Sequence, residues 1–315
     1  MSTRHRPPAP GAPPGAAGSS DPSAEERGLP ADIRRVGICL KPDQSEIADV
    51  VRDLVKRLTE RGLESRGDGA CASASGITAS SRDELFDWAD LLVVLGGDGT
   101  LLSVARSMGT RDVPILGINL GTLGFLTEVN VEEMIPALDR VLGGGAGIES
   151  RMRLEAVVRR NGTEVARYQA LNDAVIAKSA RSRMIDLETW ADGLRVTTYH
   201  ADGLIVSTPT GSTAYSLSAG GPVVQPVIGA FVLTPICPHS LNHRPIVMPA
   251  DVNLEVIIHD RGGEASLTVD GQEWVDLDDG DRVEVHHSPH PVSLVSSPFH
   301  DRYEIMRTKL RWGER

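Results

Sequence analysis

The stretch Leu91-Leu92-Val93-Val94-Leu95-Gly96-Gly97-Asp98-Gly99-Thr100 constrains the fold more than any other, because an unbroken apolar run stops at three glycines that enclose one carboxylate. A Leu/Val run of this kind suits a parallel strand covered on both faces, and Thr100-Leu101-Leu102-Ser103-Val104-Ala105 suits the start of a helix. Glycines at that edge let backbone N–H groups approach an anion with no Cβ in the way. The next helix turns its positive end to the same place. A loop meant only to hold phosphate does better without a negative charge, so Asp98 reads as a chemical group. The structural alternative is a Gly-rich β-to-α turn with Asp98 as a helix N-cap.

At 315 residues the chain can bury a sizeable core, and its length favours two domains. Lys plus Arg is 32 against 43 for Asp plus Glu, a formal charge of -11 with no long basic run, which argues against nucleic acid as a partner. Cys39, Cys71 and Cys237 are too few and too widely spaced for a disulfide framework or a zinc ligand set, and a reducing cytoplasm is the expected setting. No apolar stretch approaches the length needed to cross a bilayer, and the N-terminus lacks a secretory apolar core, so no membrane partner is expected.

Met1 to about Pro30 is rich in Pro, Gly, Ala and Ser and is expected to be disordered. Val36-Gly37-Ile38-Cys39-Leu40 reads as a first strand. Ile47, Val50, Val51, Leu54, Val55 and Leu58 then recur at helical spacing, with Gly62 just past the end. Small and polar residues from Gly67 to Ser81 suggest a loop. Pro114 to Asn119 reads as another buried strand, and Val131 to Leu142 as a helix with Met134, Ile135, Leu138 and Leu142 inward. Gly143-Gly144-Gly145 ends it. From there the period changes to that of antiparallel sheet: Leu154 to Arg159 and Glu164 to Gln169 flank the hairpin dipeptide Asn161-Gly162, and Ala191-Asp192-Gly193 joins two further strands. The expected architecture is an α/β N-terminal domain (31–145) with a parallel, Rossmann-like sheet, then a mostly β, antiparallel, sandwich-like domain (146–315) whose last residues pack back on the first. The cleft between them is the default ligand site.

A second constellation runs from His200-Ala201-Asp202-Gly203 through Ser207-Thr208-Pro209-Thr210-Gly211-Ser212-Thr213-Ala214-Tyr215-Ser216-Leu217-Ser218 to Pro222, and reads as a strand, a hydroxyl-rich turn and a small-residue helix. Its Ser and Thr side chains offer donors with little bulk to a polar ligand, and Tyr215 suits a planar ring. The alternative is a tightly packed turn that uses small residues for fit. It is the less favoured reading, because so dense a hydroxyl cluster is costly to bury without partners.

With these segments in place the chain resembles the NAD kinases, which phosphorylate the adenosine ribose 2′-hydroxyl of NAD to give NADP. Four ordered motifs carry the resemblance: Gly96-Gly97-Asp98-Gly99-Thr100, Asn119-Leu120-Gly121-Thr122-Leu123-Gly124-Phe125-Leu126-Thr127, Leu171-Asn172-Asp173, and the Asp202 to Pro222 segment. The glycine-Asp turn is shared with phosphofructokinases and lipid kinases, whereas the Ser/Thr-rich segment is similar to NAD kinases alone. The resemblance implies Asp98 as general base, with Gly99 lining the same pocket and Gly96, Gly97, Gly99 and Thr100 at the phosphates of ATP or another polyphosphate donor. It implies NAD contacts from Asp98 and Gly99 themselves and from Asn172, Asp173, Asp202, Thr213, Ala214, Tyr215, Ser216, Leu217 and Ser218. Arg183, His200 and Gln272 are further candidates; His200 reads equally as a surface histidine, Asp270-Gly271-Gln272 as a plain hairpin, and Asn172-Asp173 as an Asx turn. A homodimer or homotetramer is implied as well.

Phosphoryl transfer to a secondary alcohol needs a carboxylate to take the proton while amides and a divalent cation, expected to be Mg2+, hold the polyphosphate. The metal ligands are not assigned, because no cage stands out in the sequence. Two other classes are weighed. A lipid kinase of the diacylglycerol or sphingosine type needs an apolar acyl groove where this chain offers hydroxyls, and a non-catalytic NAD-sensing module would bind without turnover.

Overall fold

The computed structural model describes residues 27–29, 32–41, 47–179, 183–260 and 264–312. The strand Leu91–Gly96 is buried along its whole length and lies between Arg35–Leu40 and Ile115–Asn119, parallel to both. Its alternate side chains serve two separate cores. Leu91, Val93 and Leu95 meet Val51, Leu54 and Leu58 of the helix Ala48–Glu60 and Ala137 and Leu138 of the helix Met134–Leu142. Leu92 and Val94 meet Leu85 and Phe86 of the helix Arg82–Trp88 and Leu101 and Val104 of the helix Asp98–Ser107. Burial on both faces is why the run is continuously apolar.

The mostly parallel sheet has nine strands, and the order around its centre is Ile115–Asn119, Leu91–Gly96, Arg35–Leu40, Glu64–Gly67, Thr78–Ala79. From Arg35–Leu40 the chain first adds strands on one side and then crosses to the other to form Leu91–Gly96. Connections leaving in opposite directions open a crevice beyond the carboxyl ends of those two strands. Two strands that follow the expected first domain in the chain join this sheet: Gly147–Arg151, and Val292–Val295, which pairs with it and with Ile115. Arg27–Gly28 pairs with Gly147–Ile148, so the stretch expected to be disordered contributes a short strand, and the expectation for residues 1–26 lies outside the described residues.

Gly67 to Ser81 is not a loop. Asp68 accepts a hydrogen bond from the Cys71 N–H (3.1 Å) and starts the helix Gly69–Ser75, which Gly76 ends at φ +74°. Its small side chains bear no apolar period, so only the cap announced it. In the helix Met134–Leu142 the buried residues are Met134, Ala137, Leu138 and Val141, while Ile135 and Leu142 are partly buried. The helix Arg302–Leu310, which no apolar period announced, buries only Ile305.

The second half forms two six-stranded antiparallel sheets. Their facing sides share one core that includes Leu154, Leu187, Tyr199 and Val256 from one sheet and Ile176, Leu204, Phe231 and Leu267 from the other. Asn161-Gly162, Asp192-Gly193 and Asp270-Gly271 all have positive φ at both turn residues, the conformation that lets a two-residue hairpin follow the strand twist.

Candidate active site

The carboxyl end of Leu91–Gly96 delivers Asp98 to the crevice. Gly97 occupies the cap position of the helix Asp98–Ser107 and no side chain caps it, so Asp98 is not the N-cap. Its carboxylate instead binds the loop that follows Ile115–Asn119. Oδ1 accepts hydrogen bonds from the N–H groups of Leu126 (3.1 Å) and Thr127 (3.0 Å) and from Thr127 Oγ1 (2.9 Å), while Oδ2 accepts one from the Phe125 N–H (2.9 Å). Behind them Asn119 Nδ2 donates to Thr127 Oγ1 (2.7 Å), and Asn119 Oδ1 takes the Gly121 N–H (2.7 Å). Gly124 completes the clasp, because a Cβ there would overlap Asp98 Oδ1 and Thr127 Oγ1. At Gly97 a Cβ would meet no protein atom within 4 Å. Packing does not require that glycine.

The antiparallel half reaches the same turn through Gln272. Its Nε2 donates to the Gly99 carbonyl (2.8 Å), and its Oε1 accepts from Arg106 Nη1 (2.9 Å) at the other end of the helix. Next to Gln272, the Asp270 carboxylate accepts the N–H groups of Leu171 (2.9 Å), Asn172 (2.8 Å) and Asp173 (3.1 Å), fixing the start of the strand Asp173–Lys178. Burial, aided by the charge of Asp270, pushes the Asp173 carboxyl up to about 7. Burial pushes Asp270 up as well, against the three N–H groups.

The hydroxyls of the second constellation mostly build their own turn. Thr208 Oγ1 donates to the Leu171 carbonyl (2.5 Å), Ser207 Oγ to the Thr208 carbonyl (2.8 Å) and Ser212 Oγ to the Pro209 carbonyl (2.6 Å); Ser216 Oγ pairs with Thr234 Oγ1 (2.8 Å). The cluster therefore finds partners within the fold, and its density is explained by the tightly packed turn. A Cβ on Gly211 would run into the Asn172 carbonyl, so the turn sits directly against the Asn172-Asp173 pair. Thr213, Ala214 and Leu217 are partly buried, and Tyr215 and Ser218 are exposed. Thr213 lines an apolar cavity with Phe125, Leu126, Pro209, Thr210 and Val224, so the loop clasped by Asp98 and the hydroxyl turn both contribute to its lining. Thr210 Oγ1 is buried there without a hydrogen-bond partner.

Three candidates lie elsewhere. His200 is exposed and bonds Asp186 Oδ1 through Nδ1 (2.7 Å), Asp202 faces Lys178 Nζ (3.5 Å), and Arg183 is exposed before the strand Ile185–Ala191. None of them lines a cavity at the glycine turn. Three cations not singled out in the sequence do: Lys41, Arg82 and Lys309. Lys41 stands one residue past a strand that ends beside Leu95, the one signal that could have marked it. Among the described residues no group of three His, Cys, Asp or Glu could hold a metal.

A parallel sheet with a glycine-flanked acid beyond its central strand, closed by antiparallel sheets that grip the same turn, defines a phosphotransferase of the nucleotide-kinase class. Residues 36–146 match the ATP-NAD kinase N-terminal domain and residues 171–297 the ATP-NAD kinase C-terminal domain. The chain belongs to the NAD kinase family. It is 45% identical over 284 residues to the NAD kinase of Geotalea daltonii, covering 90% of this chain and all of that one, and 44% identical to that of Geobacter sulfurreducens at the same 90% coverage of this chain. Among solved structures it resembles a yeast NADH kinase complexed with NADH (TM-score 0.82, 27% identity, 90% of this chain and 89% of that one). It also resembles an NAD kinase from Archaeoglobus fulgidus in complex with ATP (TM-score 0.72, 28% identity, 88% and 98%).

Proposed function

We propose that the chain transfers the terminal phosphoryl group of ATP to the 2′-hydroxyl of the adenosine ribose of NAD, with Asp98 as the general base. The observation that carries this reading is the asymmetry of the Asp98 carboxylate. Oδ1 is filled by three donors, whereas Oδ2 takes one and keeps a lone pair for the alcohol proton. As that proton moves to Oδ2, the ribose oxygen bonds to the γ-phosphorus, the bond to the bridging oxygen breaks, and ADP leaves with its electron pair. The clasp prevents the carboxylate from turning away, so the geometry is set before substrate arrives.

In this reading the adenosine end of NAD lies between Phe125 and the Thr210 to Ser218 turn. Thr210 Oγ1 offers a hydrogen bond inside the cavity, and Asn172 and Asp173 lie behind the turn. Gly96, Gly97, Gly99 and Thr100 face the phosphates. Asp202, His200 and Arg183 serve the dinucleotide only if it extends beyond the glycine turn. Gln272 acts on the turn through Gly99.

Among the described residues Asp98 is the one carboxylate lining the cavities at the turn, and it would meet Mg2+ carried on the donor's phosphates; this ion usually takes one or two carboxylates plus substrate oxygens. Such a cation neutralises charge on the transferring group. The reading takes the cytoplasm as the compartment, in keeping with three free cysteines, and a homodimer or homotetramer as the assembly, which light scattering measures. No helix among the described residues is long and apolar enough to cross a membrane. The test of the reading is formation of NADP from NAD with ATP and Mg2+, the product identified by its 2′-phosphate. Absence of a 2′-phosphorylated product contradicts it.

A further inference from the structure

The protein is acidic overall, with a formal charge of -11, yet three cations from distant parts of the chain converge on the glycine turn. Lys41 follows the strand Arg35–Leu40, Arg82 opens the helix Arg82–Trp88, and Lys309 lies near the end of the last helix. They line two cavities that meet at Lys41 and Gly97. One holds Asp98, Lys41 and Lys309; the other holds Arg82, Ser103, Thr100 and the same Lys41. Lys41 and Gly97 stand at the mouths of the two strands between which the sheet order reverses, so they flank the crevice that the topology opens.

Arg82 is held by Ser103 Oγ (Nη1, 3.0 Å) and lies 3.9 Å from Asp68 through Nε, which leaves its second terminal nitrogen uncommitted among the described residues. The Lys41 and Lys309 side chains are exposed and make no ion pair or hydrogen bond among the described residues; the Lys41 backbone N–H donates to the Leu95 carbonyl (3.1 Å). Among the described residues the only carboxylate lining either cavity is Asp98. Like charges gathered around a cleft repel one another unless an anion joins them. The last helix, moreover, is fastened where it can deliver Lys309. Arg302 Nη2 bonds Glu149 Oε1 of the first sheet (2.7 Å), and the Tyr303 hydroxyl accepts from Gln225 Nε2 of the second half (2.8 Å).

We infer that Lys41, Arg82 and Lys309 form the subsite for the polyphosphate of the phosphoryl donor, with its transferring end between Asp98 and Lys309 and the rest running past Lys41 toward Arg82. The inference rests on the phosphotransferase reading above, and it adds the last helix to the donor site. NAD also carries a pyrophosphate, so the test must separate the two ligands.

Inorganic tripolyphosphate and NAD are titrated separately by calorimetry into the full-length wild type, Lys41→Gln and Lys309→Gln, and KM for ATP and for NAD is measured in parallel. Both lysines are exposed, so the variants are expected to fold. Loss of one charge-assisted contact predicts about a tenfold rise in Kd for tripolyphosphate and in KM for ATP in each variant. Wild-type tripolyphosphate affinity should also fall with added salt, and NAD affinity should stay within about twofold of wild type. If the wild type makes NADP but the variants bind tripolyphosphate and ATP as it does, the subsite is wrong and the reaction stands. Weakened NAD binding with unchanged tripolyphosphate binding assigns the cations to the acceptor and overturns the inference. A wild type that makes no NADP yet binds tripolyphosphate through these lysines leaves the polyphosphate subsite standing and removes the reaction.

Discussion

Asp173 and Asp270, 97 positions apart in the chain but brought together at one turn, are buried carboxylates that differ in the hydrogen bonds they receive. Asp270 receives three backbone N–H groups, so its charge is met by dipoles. Asp173 receives no hydrogen bond on its carboxylate among the described residues, and burial with the nearby charge pushes it up to about 7. Its pKa in the unfolded chain is about 3.9. Between those values the folded protein binds more protons than the unfolded one, so this group makes stability fall as pH rises from about 4 to about 7. Asp173→Asn removes that slope. Melting temperature measured from pH 5 to 8 should decline less steeply in the variant than in the wild type, and the variant should be the more stable protein at pH 8. Parallel declines would show that Asp173 is not the proton carrier.

At the scale of the element, the turn after Leu91–Gly96 separates glycines required by packing from one that is not. Gly124→Ala forces Asp98 and Thr127 apart and should lower both melting temperature and turnover. Gly97→Ala meets no protein atom, so its stability should stay within about 0.5 kcal/mol of wild type. Turnover should nevertheless fall sharply if the proposed phosphate site is right, because the new methyl group would stand where the donor phosphate is placed. Unchanged turnover in Gly97→Ala would exclude a ligand at that backbone. The strand leading to this turn was legible because burial on both faces leaves no polar positions, and the hairpins were legible because Asn-Gly and Asp-Gly tolerate positive φ. The helices Gly69–Ser75 and Arg302–Leu310 were not, since one is built of small side chains and the other buries only Ile305 and is held by polar contacts. Asp98 stood out among glycines. Lys41 and Lys309 did not, because a single lysine acquires meaning only when strand order and helix docking bring it to the crevice. The hydroxyls of 207–216 drew attention to their segment as a ligand site, but most of them are spent on the turn.

Across the whole molecule, the helix that starts at Asp98 is gripped at both ends by residues from the second half of the chain. Gln272 holds the Gly99 carbonyl at its start. The buried Arg153 donates to the carbonyls of Ala105 (3.3 Å) and Gly109 (2.6 Å) at its end, and to that of His290 (2.5 Å) just before the chain re-enters the first sheet. One guanidinium thus ties the exit at Arg151 and the return at Val292 to the helix bearing Asp98. Arg153→Met strands three carbonyls and should cost about 3 kcal/mol or more, read as a lower denaturation midpoint with an unchanged m-value. A midpoint equal to wild type would mean that the tie carries no stability.

The central claim is that this clasped carboxylate takes the proton from the ribose hydroxyl, and Asp98→Asn tests it most directly when turnover and binding are measured on the same folded protein. Asparagine keeps the shape and loses the basicity, while its amide nitrogen also sets a donor against one of the N–H groups now bound by the carboxylate. NADP formation with ATP and Mg2+ should fall by about 100- to 10,000-fold. Calorimetric affinity for NAD should remain near wild type, because Asn172 and the Thr213 to Ser218 turn are held by their own contacts. Turnover within a few-fold of wild type in folded Asp98→Asn protein would contradict the account.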